Sequence, residues 1–205
     1  MKLLSMAGSL AAVILVSATP AYAVTNFFTN FDSVAVASGG FVVLPTVEGW
    51  TATTGAGIEL QNNAAGAPFS VPNLVELDSF NNTTMSRTIM AGNYTLSYYY
   101  SPRPGQPTTT NGIEALLGST VINAISGMGG SNTSWMQYTA TFTTSAPTTL
   151  SFRAVGTDDA LGGYLDDIRL SGTAVPEAST WAMMIFGFGL AGLGLRRRSA
   201  VLAAA

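Results

Sequence analysis

Short runs of β-branched and aromatic residues recur throughout residues 24–175, and Gly, Pro, Asn and Ser separate them. No stretch of this region sustains a 3.6-residue apolar period over three helical turns. This spacing is typical of strands joined by turns. The pattern predicts eight to ten strands, with candidates at residues 40–44, 57–61, 73–77, 84–89, 94–100, 113–117, 120–125, 135–143, 148–155 and 164–170.

So many short strands without a helix predict an all-β fold, namely a two-sheet antiparallel sandwich of the jelly-roll type. The motifs of this region occur in a series that is similar to galactose-binding-like jelly rolls, the architecture of many carbohydrate-binding modules. That resemblance implies a β-sandwich, often with a structural calcium ion, and glycan binding in some members. The motifs that carry it are Phe28-x-x-Phe31-Asp32, Gly49-Trp50, Gly57-Ile58-Glu59, the segments 75–79 and 94–103, and Leu161-Gly162-Gly163-Tyr164-Leu165-Asp166-Asp167-Ile168.

The N-terminal end has the three parts of a secretory signal peptide. Lys2 supplies the positive start, residues 10–16 are apolar, and Ala21-Tyr22-Ala23 is a small-x-small cleavage sequence. We therefore predict a signal peptide over residues 1–23, with the mature chain beginning at Val24.

The C-terminal end contains a second apolar segment. Residues 181–195 carry no charge, begin with Trp181 and are followed at once by three arginines. An interfacial aromatic residue and a basic cytoplasmic flank are typical of a transmembrane helix, which places the central domain outside the inner membrane. The alternative is a buried C-terminal helix of a soluble protein.

This tail resembles the PEP-CTERM sorting signal, because a Pro-Glu motif, an apolar helix and a basic cluster follow one another. The usual Pro-Glu-Pro reads Pro-Glu-Ala here. The resemblance implies a Gram-negative source, processing by an exosortase and an association with exopolysaccharide and biofilm matrix. It divides the chain into a signal peptide (1–23), a β-sandwich (24–174) and a sorting tail (175–205). The sorting residues are Pro176, Glu177, Trp181, Arg196, Arg197 and Arg198.

Composition excludes several classes of function. The chain has no histidine and no cysteine, so it has no Ser-His-Asp triad, no thiol nucleophile, no imidazole or thiolate metal site and no disulfide. Four arginines and ten acidic residues give residues 24–175 a formal charge of −6, which argues against nucleic-acid binding.

Asp166 is the most informative single residue. Strand alternation places it with Tyr164, Ile168 and Leu170, on the face that is otherwise apolar. A buried carboxylate needs a cation, an arginine such as Arg153, or several N–H donors. In the galactose-binding-like fold an acid after the first strand and an acid in the last strand contribute to a calcium site. That resemblance implies a structural Ca²⁺ at Asp32 and Asp166.

Other polar and aromatic residues suggest further activities. The Cα atoms of Glu76 and Asp78 are expected to lie about 6.6 Å apart on one strand face, and this separation is compatible with the carboxylate pair of a glycosidase. Tyr99 projects away from the face of its aromatic neighbours, so it is a candidate sugar-stacking ring. Arg103 and Trp50 are further candidate glycan contacts.

The predicted function is that of an exported, exosortase-sorted, non-catalytic protein of the cell surface or extracellular matrix. Its expected partners are the exosortase, extracellular polysaccharide and, before processing, the inner membrane. The alternatives are a dedicated carbohydrate-binding module and, less favoured by the composition, a carboxylate glycoside hydrolase.

Overall fold

The computed structural model describes residues 23–174, 182 and 184–190. Its strands belong to one compact unit, Tyr22–Val175. They are β1 (Phe27–Thr29), β2 (Gly40–Leu44), β3 (Thr46–Val47), β4 (Trp50–Thr54), β5 (Ile58–Asn62), β6 (Leu74–Glu76), β7 (Thr84–Ile89), β8 (Gly92–Ser101), β9 (Gly112–Leu117), β10 (Thr120–Ile125), β11 (Met136–Thr144), β12 (Thr148–Val155) and β13 (Tyr164–Thr173).

The strands form two antiparallel sheets. The first, sheet A, has the order β11-β8-β13-β6-β5-β2, and β1 also pairs with β13. The second, sheet B, has the order β10-β9-β12-β7-β4-β3. The predicted all-β, two-sheet antiparallel sandwich is therefore confirmed.

The hydrophobic core lies between the two sheets. Along β8 the side chains alternate, so that Tyr94, Leu96, Tyr98 and Tyr100 are buried while the residues between them are more exposed. Trp50 is fully buried at the centre of this core and makes edge contacts with other rings, among them Phe152 at 5.6 Å between centroids. The core therefore forms from the alternation that predicted the strands.

Three strands were not predicted from the sequence: β1, β3 and β4. The first two contain only three and two residues, which is too short for an alternation to be visible. β4 reads Trp-Thr-Ala-Thr-Thr and contributes one large apolar side chain, Trp50. Its place in the sheet depends on pairing with β7 rather than on its own hydrophobic pattern.

Residues 184–190, which lie within the predicted membrane segment 181–195, form a helix. Among the residues that the structure describes, no helix has both the length and the apolar character that a membrane span requires. The signal peptide and the remainder of the apolar segment lie outside the described residues.

Candidate functional site

The outer face of sheet A, the face turned away from sheet B, carries a second buried layer that is largely polar. On the inner face, Leu60, Val75 and Leu165 are neighbours in the sheet and belong to the hydrophobic core. The side chains that alternate with them are also almost completely buried, although they lie outside that core. They are Glu59, Gln61, Leu74, Glu76, Tyr164 and Asp166.

The segment between β5 and β6 covers this outer layer. Gly66 lies against the ring of Tyr164, where an added Cβ atom would stand 3.0 Å from Cε2 of that ring. The carbonyl oxygen of Ala67 accepts hydrogen bonds of 3.0 Å from Thr133 and from the indole nitrogen of Trp135. We call residues 63–72 the covering loop.

Glu76 lies at the centre of the polar layer and is fully buried. Arg103 pairs with its Oε2 atom at 2.5 Å, and the Gly162 amide donates to Oε1 at 2.7 Å. The Gln61 side-chain amide donates both to Glu76 and, at 2.8 Å, to Glu59. Two carboxylates from neighbouring strands are thus held by one amide and one guanidinium.

Burial dominates the electrostatics of this cluster. Desolvation raises the pKa of Glu76 to about 8, even though the Arg103 guanidinium lowers that pKa. Desolvation also raises the pKa of the Tyr164 hydroxyl. That hydroxyl and Oε1 of Gln61 are buried without a hydrogen-bond partner among the described residues. The cluster is therefore a polar centre closed off from solvent.

Glu76 and Asp78, the pair whose spacing is compatible with glycoside hydrolysis, are both fully buried. The Asp159 amide donates to Oδ2 of Asp78 at 3.2 Å. The Cβ atom that Gly162 lacks would stand 2.8 Å from the Cβ atom of Asp78. Backbone therefore packs against Asp78, and Glu76 is paired with Arg103.

Asp166 is buried, as predicted, but it lies on the outer face of sheet A rather than in the core. The pairing of β13 with β8 shifts between Asp166 and Arg169, and Asp167 has a left-handed φ of 46°. This bulge reverses the alternation, so that Leu165 shares the core face with Ile168. The prediction that Asp166 shares a face with Ile168 and Leu170 was therefore wrong.

Protein donors already satisfy the Asp166 carboxylate. Oδ2 accepts the Phe69 and Ser70 amides at 2.9 and 3.0 Å, and Oδ1 accepts the Ser70 hydroxyl at 3.0 Å and the Asp167 amide at 2.7 Å. Burial nevertheless raises its pKa to about 7. Arg153, the alternative partner, instead pairs with Glu114 at 2.6 Å.

Asp32 is half-buried. Its carboxylate accepts the Asn73 amide at 3.0 Å and the Asn30 side-chain amide at 2.7 Å. Burial raises its pKa, and the charge of Asp167 raises it further. Within the described residues no three acidic side chains are grouped so that they could hold a metal ion. Calcium binding at Asp32 and Asp166 stays a prediction.

Aromatic rings gather on the outer face where the covering loop meets β8. Tyr99 stacks on Phe69 with centroids 3.6 Å apart, and Trp135 meets the same ring edge-on at 6.2 Å. Phe69 is 42% exposed, and the other two rings are partly exposed. We call Phe69, Tyr99 and Trp135 the aromatic cluster. Phe69 was missed from the sequence because an isolated ring in a loop gives no periodic signal.

The three predicted glycan contacts have different surroundings. Trp50 is fully buried in the core, so the prediction that it contacts a glycan was wrong. Arg103 forms an ion pair with Glu76, and 16% of its side chain is exposed. Tyr99 lies on the opposite face from its aromatic neighbours, as strand alternation indicated, and its role in glycan binding stays a prediction.

Solved structures resemble this sandwich. The K1 cleaved adhesin domain of Lys-gingipain from Porphyromonas gingivalis matches 73% of this chain over 99% of its own length, with 12% identity and a TM-score of 0.56. The K2 adhesin domain of Lys-gingipain matches 72% of this chain over 99% of its length, with 16% identity and a TM-score of 0.52. At such identities the likeness shows the fold alone.

A third similar structure, an arabinose-bound α-L-arabinofuranosidase, matches 72% of this chain with only 26% of its own length, at 13% identity and a TM-score of 0.50. No curated protein sequence matches the chain.

The sorting residues Pro176, Glu177, Trp181, Arg196, Arg197 and Arg198 lie outside the described residues. Residues 174–198, which contain all of them, match the PEP-CTERM protein-sorting motif. The predicted sorting signal is thereby confirmed. The chain carries a PEP-CTERM motif directly after its last strand, and this motif implies an exported protein that is anchored in the membrane until an exosortase processes it.

Proposed function

We propose that the chain is an exosortase-processed protein of the cell surface or extracellular matrix, with a sandwich that acts without catalysis in association with exopolysaccharide. The observation that carries this proposal is the position of the sorting motif, which begins at residue 174, one residue after β13 ends at Thr173. The whole sandwich is thus N-terminal to the motif and is delivered outside as one unit. The burial of Glu76 and Asp78 supports the non-catalytic role.

Processing is tested with a tag placed after Ala205 and an antibody raised against the sandwich. In a host that contains an exosortase, we expect mature sandwich without the tag, whereas exosortase deletion leaves the two together. Replacing Pro176 and Glu177 with alanine is expected to abolish tag loss. Ala178→Pro, which restores the usual Pro-Glu-Pro, is the matched control and should preserve it. Retention of the tag in the exosortase host would contradict the proposal.

The aromatic cluster favours a second candidate function, a dedicated carbohydrate-binding module. Partly exposed aromatic rings offer apolar area at a low cost in side-chain entropy, and such rings dominate many binding sites. Here the covering loop, strand β8 and the residue that precedes β11 bring three of them together on one face. The adhesin domains that share the fold do not assign a ligand to this chain.

Glycan binding is tested by affinity electrophoresis against a panel of purified polysaccharides. Tyr99→Ala and Trp135→Ala are each expected to weaken binding about tenfold, because each removes one stacking ring. Phe80→Ala is the matched control, since Phe80 is 68% exposed and makes no contact with the cluster rings. A polysaccharide panel without binding, or equal losses in all three variants, would eliminate this function.

A further inference from the structure

Strand β11 is one of the two edge strands of sheet A, and its outer side is open along its whole length among the described residues. Its nine residues pair with β8 without a register shift, from Met136 opposite Tyr100 to Thr144 opposite Gly92. On its other side, no backbone group in the described part of the chain hydrogen-bonds it. Alternate residues of an antiparallel edge strand direct both their N–H and C=O groups outward, so β11 presents a continuous row of unpaired donors and acceptors.

The devices that usually protect an edge strand are absent here. Edges are normally blocked by Lys, Pro, a bulge or a short strand. β11 contains neither Lys nor Pro, has no bulge, and is among the longer strands of the sandwich. Residues 115–152 carry no charged side chain, although residues 24–175 have a formal charge of −6. The β11 edge is therefore a surface where two acidic copies can approach without repulsion between facing charges.

The two faces of β11 differ in chemistry. Tyr138 and Phe142 point inward and pack against the core through Tyr98 and Tyr94, at centroid distances of 6.0 and 5.6 Å. Both rings remain half-buried, because no strand lies beyond them. The outward face carries Gln137 and three threonines, at positions 139, 141 and 143.

We propose that β11 pairs antiparallel with β11 of a second copy of this chain, around a two-fold axis at Ala140. This register places Thr139 opposite Thr141 of the second copy on the outer face. On the inner face it places Tyr138 opposite Phe142 of the second copy, with the small Ala140 on the axis. Thr–Thr and aromatic pairs are favourable cross-strand partners, and the same register pairs every open backbone group of the strand with its symmetry mate.

A second copy fits better than an unrelated strand because the pattern is self-complementary. Thr139 and Thr141 lie at equal distances from Ala140, so the two-fold operation places each opposite the other in the second copy. The same holds for Tyr138 and Phe142. Copies held in one membrane before processing also meet at a high effective concentration, which favours an interface built from a single strand.

Disulfide trapping tests the register, because the chain contains no cysteine of its own. Directly opposite residues of an antiparallel pair have Cα atoms about 4.5–5.5 Å apart, which lies within the range of a disulfide. Ala140→Cys in the full-length exported chain is expected to give mainly covalent dimer on a non-reducing gel. Ala52→Cys is the matched control, a half-buried alanine on a strand with neighbours on both sides, and should give at least tenfold less.

Charge variants of the exposed threonines test the same pairing independently. With Ala140→Cys as the reporter, Thr139→Lys/Thr141→Lys places lysines opposite each other and should reduce the dimer at least tenfold. Thr139→Glu/Thr141→Lys places Glu opposite Lys and should restore it. Circular dichroism checks that each variant is folded. Equal trapping at positions 140 and 52, dimer that persists with four facing lysines, failed restoration by Glu–Lys, or disulfides mainly to other proteins would each overturn the proposal.

Discussion

Replacing Arg103 with methionine is expected to lower the free energy of unfolding by about 1–3 kcal/mol at pH 8, because it removes the guanidinium that lowers the pKa of Glu76 and leaves this buried carboxyl group without its main partner. Glu76 is fully buried, and its remaining donors are one backbone amide and the Gln61 side chain. Urea denaturation followed by tryptophan fluorescence measures the loss. The double variant Arg103→Met/Glu76→Gln should recover most of it, because the neutral amide needs no counter-ion.

Arg153→Met is the matched control for this substitution. Arg153 pairs with Glu114 at 2.6 Å, but 43% of its side chain is exposed. A solvent-exposed ion pair contributes about 0–1 kcal/mol, so this variant should remain close to the parent protein. If the Arg103 and Arg153 variants lost equal free energies of unfolding, the buried ion pair would contribute no more to stability than the exposed one.

The sandwich is expected to be more stable at pH 5 than at pH 8, by on the order of 6 kcal/mol. Burial raises the pKa of Glu76 from 4.5 to about 8 and that of Asp166 from 3.8 to about 7. The folded protein therefore retains protons that the unfolded chain has released. Stability from these groups is complete below the unfolded pKa values and is lost as the pH rises through the folded ones, each group contributing roughly 1.4 kcal/mol per pH unit in that window.

The pH dependence is measured by urea denaturation at pH 5, 6.5 and 8. Glu76→Gln should remove a large part of the slope, because it removes the carboxyl group with the higher pKa. Glu114→Gln, which replaces a carboxyl group that is paired near the surface, is the matched control with which the Glu76 variant is compared. A protein that is most stable at pH 8 would show that Glu76 and Asp166 are ionised in the folded state at pH 5.

The sequence was sufficient to predict strands with a strong alternation. β2, β7, β10 and β12 were predicted with the bounds that the structure has, because hydrophobic period and turn residues agree there. Alternation also placed Tyr99 on the opposite face from Tyr98. β4 was not predicted, and neither was the burial of Trp50. The β4 sequence has one aromatic residue followed only by Thr and Ala, and such a sequence is as typical of an exposed segment as of a buried strand.

The candidate site was harder to predict, because it depends on contacts distant in sequence. The apolar neighbours of Asp166 were sufficient to predict that it is buried. They were not sufficient to predict which face of the sheet it occupies, because a bulge at Asp166–Asp167 reverses the alternation and no glycine marks it. The pairing of Arg103 with Glu76 joins a turn to a strand across 27 positions. No local period encodes such a contact.

The covering loop is anchored on Asp166, a residue near the C-terminal end of the sandwich. In a protein that is exported N-terminus first, this loop can therefore be anchored only late in translocation. The Phe69 and Ser70 amides bind a carboxylate that follows them by 97 and 96 positions and lies in the last strand. Until β13 has been translocated, these amides have no acceptor there, and the Phe69 ring has no fixed position over Tyr99. The aromatic cluster is therefore completed only when the final strand has left the export machinery, directly ahead of the sorting motif.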